Sequence, residues 1–151
     1  MKINHILPFG EIFYGRNSGA IGIFLNEMAS RQTDPSIIYE IQSPRVRWSF
    51  ISKIPLCRRL MRYSYYRKVL SGIFPNQVVV VHNDIELVSY LSNSRKPTTI
   101  IFHLHNNYEL ESLRYCKDVI GIIVCSEFIK DVVLTYGFDL PVHIVENGAN
   151  F

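Results

Sequence analysis

Residues 97–109 read Pro97-Thr98-Thr99-Ile100-Ile101-Phe102-His103-Leu104-His105-Asn106-Asn107-Tyr108-Glu109, and the reading of this stretch decides the fold. Residues 98–102 are a short uncharged run of β-branched and aromatic side chains, the pattern of a strand buried on both faces. The run opens into a polar cluster of His103, His105, Asn106 and Asn107. In an open parallel sheet, ligands sit just beyond the carboxyl ends of the strands, so a buried strand ending in His and Asn marks a candidate site. His103 and His105 are two apart and therefore lie on one side of an extended strand. A structural histidine and a catalytic one both fit that position.

Working outward, the four valines at 78–81 show no alternation and predict a central strand, which ends in His82-Asn83-Asp84. Between the two strands, residues 85–91 read as a short helix followed by the turn Asn93-Ser94-Arg95-Lys96-Pro97. Downstream, the pattern predicts a helix over 107–116, a strand over 119–124, a helix over 126–136 and a last strand over 142–145. Ser126 is the expected N-cap of the last helix, with Gly137 just past its end. Upstream, residues 2–7 are a first strand stopped by Pro8-Phe9-Gly10. A polar loop containing Gly15, Ser18 and Gly19 leads to a helix from Ala20, where Ile21, Phe24, Leu25 and Met28 recur at helical spacing. A second strand is predicted over 37–41. A helix over 56–70 would set Leu56, Leu60, Tyr63, Arg67 and Leu70 near one face. Alternating strands and helices predict an α/β fold: a Rossmann-like, doubly wound parallel sheet with helices on both faces.

The length of 151 residues matches one domain with a real core, and 48% hydrophobic against 19% charged residues argues against disorder. No apolar run approaches the roughly 18 to 20 residues that a spanning helix needs. The N-terminal segment is too short and polar for a signal-peptide core, which predicts a cytoplasmic start. Cys57, Cys116 and Cys125 are odd in number, lie in apolar segments and form no C-x-x-C pair, so reduced thiols are expected.

Three strand ends are polar in the same way: the Gly15 to Gly19 loop, His82-Asn83-Asp84, and His103 to Asn107. Parallel strands carry all three to one edge, where they surround one crevice. The loop is neither G-x-G-x-x-G nor a P-loop, because no Lys follows Gly19, and a tight turn needing φ > 0 explains its glycines equally well. His82, His103 and His105 are metal-ligand types, but their spacing does not fix a ligand geometry, and neither a metal nor a cofactor is expected. No serine stands in a nucleophile-elbow sequence.

The order of four motifs resembles the N-terminal domain of GT-B glycosyltransferases, in the large retaining group (glycosyltransferase family 4-like) that uses nucleotide-sugar donors. These are Val-Val-His-Asn-Asp after the third strand, Ile-Ile-Phe-His-Leu-His-Asn after the fourth, Ile-Ile-Val-Cys-Ser-Glu-Phe-Ile-Lys-Asp before the last helix, and Val-Glu-Asn-Gly-Ala-Asn at the end. The resemblance implies that residues 1–151 are a single Rossmann-like, acceptor-side domain, one half of a GT-B fold, ending at an interdomain hinge. The donor-binding C-terminal domain would lie beyond this chain or on a partner subunit, and the domain alone would lack full activity. It further implies that Gly15, Ser18 and Gly19 lie against donor phosphates or acceptor, that His105 borders the donor sugar as the catalytic position, and that Ser126 and Glu127 face the cleft. His82, Asn83, Asp84 and Asn106 complete the candidate crevice. The sequence departs from the family pattern in lacking adjacent glycines in the first loop and in carrying Asn150 where aspartate is usual. A binding module for a phosphorylated ligand or partner protein is the alternative from another class.

The charge distribution adds one more expectation. No carboxylate occurs between Glu40 and Asp84, a stretch that holds eight of the sixteen Lys and Arg: Arg45, Arg47, Lys53, Arg58, Arg59, Arg62, Arg67 and Lys68. Trp48, Phe50, Tyr63, Tyr65 and Tyr66 interleave with them. This composition suits an anionic membrane surface, where each cation near the lipid contributes on the order of 1 kcal/mol. Equally, it suits a solvated helix whose aromatics pack into the sheet. No nucleic-acid-binding motif accompanies the charge, so no nucleic-acid partner is expected. The resemblance implies a nucleotide-sugar donor and a lipid-linked or cell-envelope glycan acceptor as partners, and the basic stretch adds the inner face of a membrane.

Overall fold

The computed structural model describes residues 2–9, 20–31, 38–42, 54–74, 77–96, 98–106 and 109–146. Strands and helices alternate along them: β1 (Lys2–Ile6), α1 (Ala20–Ser30), β2 (Ile38–Gln42), α2 (Pro55–Gly72), β3 (Val78–His82), α3 (Ile85–Ser92), β4 (Thr99–Leu104), β5 (Val119–Val124), α4 (Glu127–Thr135) and β6 (Val142–Ile144). All six strands are parallel, in the order β2-β1-β3-β4-β5-β6. The expected Rossmann-like α/β architecture is therefore present, with the valine strand β3 in the interior. The chain lays β2 on one side of β1 and every later strand on the other. The winding thus reverses between β1 and β3, the switch point at which open α/β sheets form a crevice.

Alternate residues of each strand point to opposite faces, and the two faces differ. On one, Ile6, Val79, Val81, Ile100, Phe102 and Leu104 pack with Tyr65, Tyr66 and Val69 of α2, Leu87, Val88 and Leu91 of α3, and Ile129 and Val133 of α4. On the other, Leu7 at the end of β1 packs with Ile21 and Leu25 of α1. Both ends of α4 match their sequence signals: the Ser126 hydroxyl accepts from the Ile129 N–H, and Gly137 takes φ 63°.

Three expectations are corrected. β4 runs two residues further than the apolar run, to Leu104, so His103 is a strand residue. Its ladder with β5 continues through His103 opposite Ile123, and ladder hydrogen bonds outweigh the polarity of one side chain. The helix expected over 107–116 is, among the described residues, a short 3-10 turn at Glu111–Tyr115. Buried Leu110, Leu113 and Cys116 recur every three residues, the period of a 3-10 turn, and the bonds Leu113 N–H to Leu110 O and Cys116 N–H to Leu113 O close it. Finally, α2 does not bury the stripe through Leu56, Leu60 and Tyr63. Those three are exposed, and the helix turns Tyr65, Tyr66 and Val69 inward. The phenols decide this: Tyr65 donates to the Leu7 carbonyl at 2.8 Å and Tyr66 to Asp84 Oδ1 at 2.7 Å, so each ring is buried with its hydroxyl satisfied.

No helix of the described residues is long and apolar enough to cross a membrane. The three cysteines are free thiols, Cys116 buried and the others half-buried.

Candidate functional site

Four histidines converge at the carboxyl edge of the sheet, beside the switch point. The register sets His82 at the end of β3 directly opposite His103 of β4, and His5 of β1 opposite Val80, two residues before His82 on the same face. His105 follows β4 on the side of His103. The result is a chain of rings: His5 Nδ1 lies 3.0 Å from His82 Nε2, and His82 Nδ1 lies 3.0 Å from His105 Nε2. His103 stacks on His105, with centroids 4.0 Å apart, and lies 4.8 Å from His82. From α1, Phe24 meets both His103 and His105 edge-on, at 5.6 Å and 5.8 Å.

Burial sets the chemistry of these rings. His82 and His103 are 0% and 3% exposed, and His105 is half-buried. Removal from water disfavours the imidazolium, so His5 is lowered to about 4, His103 to about 3 and His105 to about 4. For His82, burial and then the neighbouring rings of His103, His5 and His105 hold it well below the ordinary value. At neutral pH all four are uncharged, each with one N–H and one lone pair. Such rings ligate cations or exchange hydrogen bonds with polar ligands; they do not act as general acids near pH 7. His103 Nε2 is buried with no hydrogen-bond partner among the described residues.

The backbone around the rings is pinned. Asn83 occupies the left-handed region at φ 49°, which Asn tolerates better than most residues. From there its N–H donates to the His103 carbonyl at 3.0 Å and its Oδ1 accepts from the His105 N–H at 2.8 Å. The Cys125 thiol donates to the His105 carbonyl at 3.3 Å. The ends of β3, β4 and β5 are thereby tied together at one point.

Of the sequence candidates, the structure brings His82, Asn83 and His105 together. Asp84 is turned away and has other work. Its carboxylate N-caps α3 by accepting from the Leu87 N–H at 3.0 Å, and it also accepts from the Tyr66 hydroxyl and the Phe9 N–H. Burial raises its pKa against those hydrogen bonds and against the charge of Arg62. Ser126 likewise serves as the cap of α4, and Glu127 pairs at the surface with Lys130 at 3.4 Å. Asn106 is exposed beside His105. Gly15, Ser18 and Gly19 lie outside the described residues.

Two site residues escaped the sequence reading. His5 stands between Asn4 and Ile6 near the end of β1, and only the pairing of β1 with β3 shows which rings it faces. Phe24 reads as an ordinary member of the apolar stripe of α1.

In the basic region, Tyr65 and Tyr66 belong to the core, while Trp48, Phe50, Arg45, Arg47 and Lys53 lie outside the described residues. Arg62 pairs with Glu86 at 2.5 Å and lies 6.0 Å above the Phe9 ring. Arg58, Arg59, Arg67 and Lys68 are exposed on the same helix as Leu56, Leu60 and Tyr63. A cavity of about 370 Å³ opens there, lined by Leu56, Arg59, Leu60, Tyr63 and Glu86 among others.

Set against known proteins, the chain matches no family model, no curated protein and no solved structure.

Proposed function

We propose that this chain is the acceptor-side domain of a retaining glycosyltransferase of GT-B type, working with a second domain or subunit that holds the nucleotide-sugar donor. The observation that carries the reading is the position of half-buried His105, at the switch-point edge of a parallel sheet, in the motif order that resembles that family. In such an enzyme, transfer with retention proceeds by departure of the nucleoside diphosphate while an acceptor hydroxyl attacks the same face of the sugar. A neutral His105 fits the role of a hydrogen-bond partner for a sugar hydroxyl rather than that of a proton donor. Asn83 holds the His105 backbone in place for that contact.

The acceptor we propose is a lipid-linked or cell-envelope glycan. Support comes from α2, where exposed Leu56, Leu60 and Tyr63 stand among Arg58, Arg59, Arg67 and Lys68, a combination suited to an anionic lipid surface. The test is sugar transfer from a panel of nucleoside-diphosphate sugars to envelope lipid extract, by the chain together with the protein encoded beside or after it. Transfer that falls at least about 100-fold in His105→Ala and is retained in His143→Ala supports the reading. Absence of transfer from every donor, with no saturable binding of the extract, would sink it. Flotation on anionic vesicles at low salt separately tests the membrane contact.

A further inference from the structure

We infer that His82, His103 and His105 form a site for a divalent transition-metal ion, zinc first among them, with His5 as the residue that orients His82. The geometry alone carries this, and it stands whether or not the chain transfers sugars.

One ring nitrogen from each of the three histidines lies within 4.8 Å of the others, and His82 Nδ1 to His105 Nε2 is 3.0 Å. A tetrahedral zinc with Zn–N near 2.0–2.1 Å needs ligand nitrogens about 3.3 Å apart, a separation this set brackets. Small ring rotations suffice to reach it. The His103 Nε2 atom provides a second, independent sign. It is buried and has no hydrogen-bond partner among the described residues, although buried ring nitrogens are ordinarily satisfied. A cation shared with its two neighbours satisfies it.

Further features agree. A ligand imidazole usually donates its other N–H to a fixed acceptor, and His82 Nε2 lies 3.0 Å from His5 Nδ1, which accepts in that arrangement. The His105 backbone is held by Asn83 and Cys125, and the Phe24 edge limits the tilt of the His103 and His105 rings. Burial keeps the imidazoles neutral and their lone pairs available at pH 7. An all-nitrogen, uncharged triad disfavours magnesium and calcium, which prefer oxygen, and suits zinc, cobalt, nickel or copper. Three histidines also leave a fourth tetrahedral position for a small ligand.

The test uses the full chain, stripped with a chelator, dialysed, and titrated with Zn²⁺ alone and Co²⁺ alone. The expected result is one equivalent bound per chain, an intense visible Co²⁺ spectrum of tetrahedral type, and a raised thermal midpoint. His105→Ala, at the half-exposed ligand, should weaken binding at least about 100-fold, His5→Gln about 10- to 100-fold, and His143→Ala, on exposed β6, not at all. Because a variant in this cluster can unfold, imidazole-nitrogen NMR of the unmutated chain provides a second readout. Zn²⁺ should move the resonances of His82, His103 and His105 and leave His143 in place. Sub-stoichiometric binding, a folded His105→Ala chain that binds as tightly as its parent, or a response confined to His143 would overturn the inference.

Discussion

Two buried polar clusters begin two residues apart at the end of β3, and they are satisfied in opposite ways. Asp84 is a buried carboxylate that accepts hydrogen bonds from Leu87, Tyr66 and Phe9. His5, His82 and His105 are linked ring nitrogen to ring nitrogen, and His103 Nε2 bonds to nothing described. Folding tolerates a buried polar group when its partners are built in, as they are for Asp84. Where a partner is missing, the group is a candidate for an external one. Asp84 is thus a joint of the fold and the histidines around His82 a candidate site, although both arise from the single motif His82-Asn83-Asp84.

Acid should act on the two clusters with opposite signs, and this is the largest expected effect. For His5 and His103 the unfolded value near 6.5 exceeds the folded values of about 4 and about 3, so the unfolded chain binds more protons in that window. Stability of the metal-free chain should therefore fall as pH drops below about 6.5, on the order of 2 kcal/mol for each of these two rings by pH 5. Asp84 is raised in the folded state, so protonating it between its folded and unfolded values returns stability. Urea denaturation across pH 7 to 4 should show a net loss that is steeper in Asp84→Asn. A flat profile in the native chain would show that the imidazoles are not desolvated.

Asp84→Ala comes next. It removes the cap of α3 and leaves the Tyr66 hydroxyl and Leu87 N–H buried without an acceptor, a loss of about 3 kcal/mol in the unfolding free energy measured by chemical denaturation. A loss under about 1 kcal/mol would mean that water replaces the carboxylate. Tyr66→Phe deletes one hydrogen bond of the same cluster and should destabilise by about 1 kcal/mol.

The smallest stability effect should come from the other cluster. His103→Leu replaces a ring whose Nε2 is unpartnered by an apolar side chain of similar reach, and it should alter metal-free stability by less than about 1 kcal/mol, in either direction. The same substitution should abolish zinc binding. If it unfolds the chain as severely as Asp84→Ala, the two clusters are equally structural and the distinction fails.

Much of this was legible in the sequence because it depends on local periodicity. The four valines of β3, the apolar run of β4, the apolar spacing of α1, and the Ser126 and Gly137 signals flanking α4 locate their elements to within a residue or two. Errors occurred where two local patterns compete. The apolar stripe of α2 through Leu56 and Leu60 lost to Tyr65 and Tyr66, whose phenols find acceptors on distant parts of the chain. The helix expected over 107–116 is a shorter 3-10 turn, as the three-residue repeat of Leu110, Leu113 and Cys116 shows.

The candidate site was legible only in part. That His103 and His105 share a side of one strand follows from the two-residue period of a strand, and that His82 reaches the same edge follows from parallel winding. The sequence alone thus determined the elements, their direction and the polar strand ends, because these depend on neighbours in the chain. Tertiary structure decided that β1 lies beside β3, that His5 therefore joins the ring chain, that Asp84 turns to Tyr66, and that His103 keeps an unpartnered nitrogen. Those are statements about contacts between residues up to 77 apart, and no local pattern encodes them.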